Sequence, residues 1–217
     1  MKKTGSFVLN QFNKQISYLL GAYLGDGCVY TNKNGWKQFT LEVIDKDFAE
    51  KTQACLNKLV GVDNDIYLTN NRRTGKESFK AYSGNQELCK YLEDITGKKS
   101  YFPQEIYYCD NSLKQEFLSG LFDAEGWVDN YGGYLKIGIA STSVWILELV
   151  DLLNSLGSNI SKISRMKNGG IKPLWKIIIP TRDIKKIGLF FSIKRKQDRI
   201  DTYFQSPQTE RVISLIG

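Results

Sequence analysis

The chain of 217 residues is 41% hydrophobic and 12% aromatic, which is typical of a globular protein with one larger core or two small ones. It contains no histidine, which excludes Ser-His-Asp and Cys-His triads and histidine-based zinc sites, so any catalysis must use carboxylates, lysines, tyrosines or a metal ion. The formal net charge is +7, and residues 161–199 carry twelve Lys or Arg against two acids, which favours a polyanionic partner.

The first half of the chain predicts an α-β-β-α-β-β-α order. An apolar helix over about 13–25 precedes strands near 28–32 and 36–44, and helical spacing follows as far as Gly61. Two more strands, "DIYLTN" and "ESFKAYS", flank a turn-rich stretch. The helix "NQELCKYLEDITG" closes this half, with Asn85 as its candidate cap.

The second half repeats this order. The helix "NSLKQEFLSGLFDAEG" begins with a capping box of Ser112 and Gln115. Strands "WVDNY" and "YLKIGIAS", the helix "SVWILELVDLLNSLG", strands in "NISKISRMK" and "LWKIIIP", and the helix "TRDIKKIGLFF" follow. The duplication predicts an α+β fold with two subdomains, 1–99 and 112–217, related by an approximate two-fold axis and joined by a linker over 100–111.

Small residues lie four apart in the first helix of each half. Gly21 and Gly25 form a bare stripe on one helix, and Gly120 and Ala124 form the same stripe on the other. Such stripes let two helix backbones approach closely, and that packing must offset a helix-propensity cost of about 1 kcal/mol for each glycine. We therefore expect the two helices to pack together at the subdomain boundary.

An acid follows each stripe at once: Asp26 after Gly25, and Glu125 after Ala124. Helices packed through their stripes would bring both carboxylates to the same end of the interface. Two adjacent carboxylates repel each other unless a cation lies between them, and hard divalent cations prefer oxygen ligands. Together with the lack of histidine, the pair indicates a magnesium site for phosphodiester chemistry.

The stretches "LLGAYLGDG" (19–27) and "LSGLFDAEG" (118–126) resemble the two motifs of the LAGLIDADG family, in its single-chain homing endonuclease form. The resemblance covers nearly the whole chain and implies a pair of saddle-shaped antiparallel four-stranded sheets that lie along the DNA major groove. It implies that Asp26 and Glu125 bind the divalent metal, with the backbone carbonyls of Gly25 and Ala124 as further ligands. The first motif departs from the family pattern at Tyr23 and Gly25.

The resemblance also implies basic residues beside the metal. "FFSIKRKQDRID" resembles the closing segment of the family and places Lys194 on its functional lysine position. The corresponding stretch of the first half leaves Lys98 or Lys99, of which Lys98 is taken as the catalytic candidate. Lys46 lies where some single-chain members place another active-site lysine. Each of them could equally be a solvated charge or a phosphate clamp.

Strand alternation assigns polar side chains to the sheet faces that would read DNA. The DNA-binding candidates are Gln38, Thr40, Glu42, Tyr67, Thr69, Asn71, Arg73, Lys80 and Tyr82 in the first half, and Tyr134, Lys136, Lys162, Arg165, Lys167 and Lys176 in the second. The strand that contains Lys162, Arg165 and Lys167 is ambiguous in its alternation.

These observations predict a monomeric, Mg²⁺-dependent, site-specific double-strand DNA endonuclease that is intron-encoded, with Mn²⁺ or Ca²⁺ able to replace Mg²⁺ in binding. Two alternatives stay open. The first is a maturase, which binds intron RNA with the same fold, and the second is a DNA-binding regulator without cleavage.

We expect no membrane partner, because the longest apolar runs are too short to cross a bilayer. The N-terminus shows no secretory signal. Four cysteines form no Cys-x-x-Cys pair, which is typical of buried, reduced thiols. We therefore expect an intracellular protein, cytoplasmic or organellar.

Overall fold

The computed structural model describes residues 7, 12–70, 75–131, 134–166 and 173–206. The first half contains α1 (Lys14–Leu24), β1 (Cys28–Thr31), β2 (Lys37–Val43), α2 (Lys46–Val60), β3 (Tyr67–Asn70), β4 (Glu77–Ser83) and α3 (Gln86–Thr96). The second half contains α4 (Asn111–Glu125), β5 (Gly126–Tyr131), β6 (Tyr134–Ser141), α5 (Ile146–Ser155), β7 (Ser164–Met166), β8 (Leu174–Ile179), α6 (Ile184–Ile187) and α7 (Lys194–Gln205). The predicted α+β duplication is confirmed.

Each half builds a four-stranded antiparallel sheet of the same topology. The strand orders are β1-β2-β4-β3 in the first sheet and β5-β6-β8-β7 in the second. Alternate residues of the central strands, such as Leu41 and Ala81 or Ile137 and Ile177, are fully buried. One face of each sheet therefore packs against apolar side chains, and the alternate residues lie on the opposite, open face.

Local chemistry sets the helix ends. The Asn13 side chain accepts a hydrogen bond from the Ile16 amide at the start of α1, and Asn85 caps α3 in the same way through Leu88. Gly61 ends α2 with a left-handed φ of 65°, which glycine adopts without steric cost. The caps predicted at Asn85 and Gly61 are confirmed.

The predicted capping box at Ser112 and Gln115 is wrong. Asp110 caps α4 instead, because its carboxylate accepts hydrogen bonds from the Leu113 amide and from the Ser112 hydroxyl. The Gln115 amide group donates to the carbonyl of Ile187, so it joins α4 to α6. A carboxylate two residues earlier in the chain thus outcompetes the serine as the cap.

Three other features of the second half differ from the sequence analysis. In the stretch "NISKISRMK", which the structure describes as far as residue 166, the strand covers Ser164–Met166, and residues 159–163 before it are not in a strand. The helix expected in "TRDIKKIGLFF" is a 3-10 turn, Thr181–Asp183, followed by the short α6, which Gly188 ends with a φ of 64°. Cys28 is exposed, whereas Cys55 and Cys89 are buried, so the expectation of buried thiols is wrong for Cys28.

The segment between the halves packs on the molecule. It contains a 3-10 helix, Gln104–Tyr108, in which Ile106 is fully buried. The ring of Phe102 lies 5.2 Å from that of Phe117 on α4 in an edge-on arrangement. This segment therefore leads α4 directly onto the core rather than spanning solvent.

Candidate active site

Helices α1 and α4 approach each other through their glycines. A Cβ atom on Gly21 would lie 2.1 Å from the carbonyl oxygen of Phe117, and one on Gly120 would lie 2.1 Å from that of Tyr18. No side chain fits at either position, so the backbones are in direct contact. Leu20, Leu24, Leu118 and Phe122 are all buried around this seam.

The seam ends where the two acids begin. A Cβ on Gly25 would lie 2.4 Å from the Cβ of Ala124 and 3.1 Å from the Cγ of Glu125. Glu125 is the last residue of α4, and Asp26 directly follows Gly25. The structure thus brings Asp26 and Glu125 together at one end of the helix pair.

The acids and two lysines influence one another electrostatically. Desolvation raises the pKa of Asp26, and the positive charges of Lys99 and Lys196 oppose that rise. Desolvation also raises the pKa of Glu125, and the Asp26 charge raises it further against the same two lysines. The four groups therefore form one charged centre with two carboxylates and two ammonium groups.

Lys99 reaches this centre from the end of α3. Its Nζ donates to the carbonyl oxygen of Gly25 at 2.5 Å and lies 5.4 Å from the centroid of the Tyr23 ring. Lys98 and Lys99 both have positive φ, 54° and 72°, which turns the chain back towards the acids. Burial lowers the pKa of Lys99.

Lys196 reaches the centre from α7. Its Nζ donates to three carbonyl oxygens at the end of α4, those of Phe122 at 3.0 Å, Asp123 at 2.7 Å and Gly126 at 2.7 Å. Burial lowers the pKa of Lys196 to about 8. Lys99 and Lys196 thus hold corresponding places, each against the carbonyl end of a motif helix.

The lysines assigned from the sequence lie elsewhere. Lys98 and Lys194 are exposed, next to the side chains that do point inward. The Lys194 amide donates to Asp47, while its neighbour Lys196 contacts the motif carbonyls. Lys46 pairs with Glu50 along α2 at 2.9 Å. The structure brings Lys99, the other candidate of the first half, and Lys196 to the centre, because the chain reversal at 98–99 and the turn of α7 decide which side chain points inward.

Asp123 is a residue that sequence reasoning missed. It is buried on α4, and its carboxylate accepts hydrogen bonds from the amides of Ser192 and Ile193 and from the hydroxyls of Tyr18 and Ser192. These bonds join α1, α4 and the segment that leads to Lys196. The sequence does carry a signal for Asp123. When the two motifs are aligned, this acid falls at the position of the apolar Leu24.

The donor set of the centre suits a hard divalent cation. Asp26 and Glu125 supply carboxylate oxygens, and the Gly25 carbonyl, already bonded to Lys99, retains a second lone pair. Within the part of the chain that the structure describes, no three His, Cys, Asp or Glu side chains converge. The protein therefore provides two carboxylates, and the other ligands of such an ion would be carbonyls, water and substrate oxygens.

A cleft of about 460 Å³ opens beside the centre. It is lined by Asp26 and Glu42 of the first half and by Trp127, Lys196 and Arg199 of the second half. The cleft is therefore lined by residues of both halves.

The open face of the first sheet carries most of its predicted polar residues. Strand pairing aligns Thr40 with Tyr82, Glu42 with Lys80, and Lys80 with Tyr67. The remaining candidates of this sheet on that face are Gln38 and Thr69. Asn71 and Arg73 lie outside the described residues.

The open face of the second sheet carries Lys136 and Lys176. Arg165 pairs with Trp175 and lies 5.8 Å from its ring, on the face opposite to Lys176. Lys162 is exposed before β7. Lys167 lies outside the described residues, as does the side chain of Tyr134, whose backbone begins β6.

Comparison with known proteins gives the class of this fold. A family model described as a LAGLIDADG-like domain matches residues 13–96 and 112–188, which together span most of the chain. The chain therefore belongs to the LAGLIDADG family.

Two relatives come from Methanocaldococcus jannaschii. An uncharacterized protein is 27% identical over 91% of this chain and 78% of its own length. A probable translation initiation factor IF-2 is 27% identical over 89% of this chain, which spans only 16% of that protein.

Solved structures share the fold at low identity. The homing endonuclease I-DmoI in complex with DNA and manganese has a TM-score of 0.56 and 18% identity, over 82% of this chain and 97% of that one. The homing endonuclease I-WcaI bound to its DNA recognition sequence has a TM-score of 0.54 and 16% identity, over 93% of this chain and 87% of that one. The N-terminal LAGLIDADG domain of WhiA has a TM-score of 0.52 and 18% identity, over 94% of this chain and all of that domain.

Among the described residues, no helix is both long and apolar enough to cross a membrane.

Proposed function

We propose that the chain is a site-specific, divalent-metal-dependent endonuclease of double-stranded DNA. The observation that carries this proposal is the convergence of Asp26 and Glu125, one from each half, with the half-buried Lys99 and the buried Lys196 beside them. The relatives of the same fold that are named as homing endonucleases, with DNA and manganese in one complex, support it.

Asp26 and Glu125 would hold the metal, with the carbonyls of Gly25 and Ala124 as further ligands. When bound, a divalent cation activates water at neutral pH and stabilises charge on the phosphate and on the leaving oxygen. Mg²⁺ fits these oxygen donors, and Mn²⁺ or Ca²⁺ can replace it in binding.

The ammonium groups of Lys99 and Lys196 would lie near the scissile phosphate and stabilise the negative charge that develops on it during the reaction. Their carbonyl partners fix both ammonium groups before substrate arrives, which is the condition for electrostatic stabilisation of a transition state. Since the pKa of Lys196 is lowered to about 8, it remains mainly protonated at neutral pH.

DNA would lie across the open faces of both sheets, with polar side chains at base edges and lysines at phosphates. Because one chain supplies both acids and both sheets, we propose that it acts as a monomer. The cut on one DNA strand would depend mainly on Asp26 and the cut on the other strand on Glu125. Because the Asp and Glu side chains differ in length, we expect the two strands to be cleaved at unequal rates.

The test combines cleavage with binding. Purified protein and Mg²⁺ are incubated with a library of duplex sites, and the DNA ends are sequenced to recover the cleaved target. Asp26→Asn and Glu125→Gln should each lower cleavage by about a thousandfold, since each removes a ligand charge, while binding to that target in Ca²⁺ changes little. EDTA should abolish cleavage by the unchanged protein.

Asp94→Asn is the matched control, because it removes an exposed acid on α3 and should leave cleavage unchanged. Full cleavage by the double variant of Asp26 and Glu125 would refute the assignment. Sequence-selective binding without any cleavage by the unchanged protein would instead favour a regulator, and support of intron splicing in a parallel assay would favour a maturase.

A further inference from the structure

The open faces of the two sheets can be compared row by row. Cys28 and Trp127 each lie two residues after a motif acid, Cys28 as the first residue of β1 and Trp127 as the second residue of β5. Cys28 pairs with Thr40, which pairs with Tyr82. Trp127 pairs with Gly138, which pairs with Ile178. These two sets, the acid-proximal rows, occupy corresponding places under the proposed DNA.

The first sheet presents hydrogen-bonding groups at this place. Its acid-proximal row contains the exposed Cys28, the half-buried Thr40 and the buried Tyr82, and the next row contains Glu42, Lys80 and Tyr67. The hydroxyls of Tyr67 and Tyr82 bond to each other at 2.9 Å. This face is suited to donors and acceptors on base edges.

The second sheet is apolar at the same place. Ile178 is 44% exposed, whereas its neighbours Ile177 and Ile179 are buried on the other face. A Cβ on Gly138 would lie 2.5 Å from Cζ2 of Trp127, so the indole covers the glycine as a flat apolar surface. The next row contains Ala140, Lys176 and Ser164.

Positive charge borders this apolar row. The Nζ of Lys176 lies 4.6 Å from the Trp127 ring, and Lys136 is exposed one row further out. Lys176 and Lys136 thus lie on either side of the row, with the exposed Asp129 opposite Lys136, and the positive balance attracts phosphates, which suits a nucleic acid groove better than a second copy of this basic chain. The C5-methyl group of thymine is the apolar feature that base edges present in the major groove.

We propose that Ile178 and Trp127 read thymine methyl groups, so that the half-site under the second sheet is selected for thymine near the cut. The half-site under the first sheet is read through hydrogen bonds instead. This inference rests on the proposed DNA-binding function and adds which base feature each half of the protein recognises.

The test uses duplex DNA with uracil in place of thymine, which removes the C5-methyl group and leaves the pairing edge intact. Target sequences are first selected from a randomised library in Ca²⁺. The selection is then repeated with Ile178→Ser and with Gln38→Ala. The target positions at which each variant changes the preferred base identify the half-site under the second sheet and the half-site under the first sheet. Affinity is measured with uracil placed in each half-site in turn.

Each uracil under the second sheet should weaken binding about fourfold, the effect of one buried methyl group. Uracil under the first sheet should have no such effect, and Ile178→Ser should remove the difference between thymine and uracil. Leu68→Ser, which removes an aliphatic side chain of 62% exposure from β3 of the other sheet, should keep the difference.

Equal effects of uracil in both half-sites, or selection of no thymine under the second sheet, would overturn this inference while leaving the endonuclease proposal standing. A protein that selects no DNA sequence would refute both. Concentration-dependent dimerisation that Ile178→Ser abolishes would show that a second copy of the chain, not DNA, covers the row.

Discussion

Asp123 is the residue at which the two similar motif helices, α1 and α4, differ in the contacts that they make. It occupies the position in the second motif that Leu24 occupies in the first, and both side chains are buried. Leu24 contributes apolar packing, whereas the Asp123 carboxylate accepts hydrogen bonds from two backbone amides and two hydroxyls. The segment that precedes α7, and with it Lys196, is thereby fixed to α4.

Replacement of Asp123 should therefore depend strongly on the shape and polarity of the new residue. Asp123→Leu leaves the amides of Ser192 and Ile193 without acceptors and should lower the free energy of unfolding by about 3 kcal/mol or more. Asp123→Asn keeps one oxygen for the amides and places its NH₂ against hydroxyls that can accept, so the loss should be about 1 kcal/mol. Urea unfolding measures both values.

Tyr18→Phe is the control for this network, because it removes the hydroxyl that donates to the Asp123 Oδ2 atom and keeps the ring. It should cost about 1 kcal/mol and retain cleavage. An Asp123→Leu variant as stable as the unchanged protein would show that the amides of the 192–193 turn find other acceptors.

At the scale of elements, the seam between α1 and α4 is where helix propensity and packing oppose each other. Alanine in place of glycine would favour each isolated helix by about 1 kcal/mol. However, a new Cβ at 2.1 Å from a carbonyl oxygen of the facing helix forces the backbones apart. Backbone atoms cannot move aside as the end of a side chain can, so we expect the clash to dominate.

Gly21→Ala and Gly120→Ala should each lower the free energy of unfolding by about 3 kcal/mol in urea denaturation. Gly84→Ala is the matched control, because the nearest atom to its added Cβ is the Trp36 side-chain nitrogen at 3.6 Å, and it should change stability by less than about 1 kcal/mol. Stabilisation by Gly21→Ala would contradict the close approach of the helices.

Most elements could be predicted from the sequence because their signals are local. Periodicity, the Asn85 cap and the Gly61 stop gave the order of helices and strands in the first half. The hydrophobic patterns of the two halves align "FTLEVI" (39–44) with "LKIGIA" (135–140), which matches Thr40 with Lys136, whereas the strand pairing, counted from the motif acids, matches Thr40 with Gly138, two residues further along the chain. Alternation repeats every two residues, so a two-residue shift leaves the same pattern and the sequence alone could not detect it.

The site itself was predictable in part for the same reason. Asp26 and Glu125 follow stripes of small residues at a fixed helical spacing, a pattern that is readable in one dimension. Lys99 and Lys196 depend on left-handed backbone at 98–99 and on the path of α7, which are tertiary features. Sequence patterns therefore placed Asp26 and Glu125 together, left Lys98 and Lys99 as alternatives in the first half, and selected Lys194, two residues from Lys196, in the second.

At the scale of the whole molecule, a second contact fastens the two halves besides the helix seam. Arg195 on α7 binds the Asp45 carboxylate with two bonds, of 2.6 and 2.7 Å, and the Lys194 amide donates to Asp47 at 2.5 Å. Asp45 and Asp47 lie at the start of α2 in the first half. The helix that carries Lys196 to the centre is thus held by the opposite subdomain.

This bridge should stabilise the folded chain only modestly, because Arg195 is 55% exposed and water screens the pair. In a double-mutant cycle of Asp45→Ala and Arg195→Ala, we expect a coupling energy of about 1 kcal/mol by urea unfolding at low salt, and less at 1 M salt. The i,i+4 pair of Lys46 and Glu50 on α2 gives the comparison, with about 0.4 kcal/mol expected. The bidentate geometry and the 16% exposure of Asp45 account for the larger value. A coupling no greater than that of the Lys46–Glu50 pair would show that the Asp45–Arg195 pair stabilises the contact between the halves no more than an ordinary surface pair does.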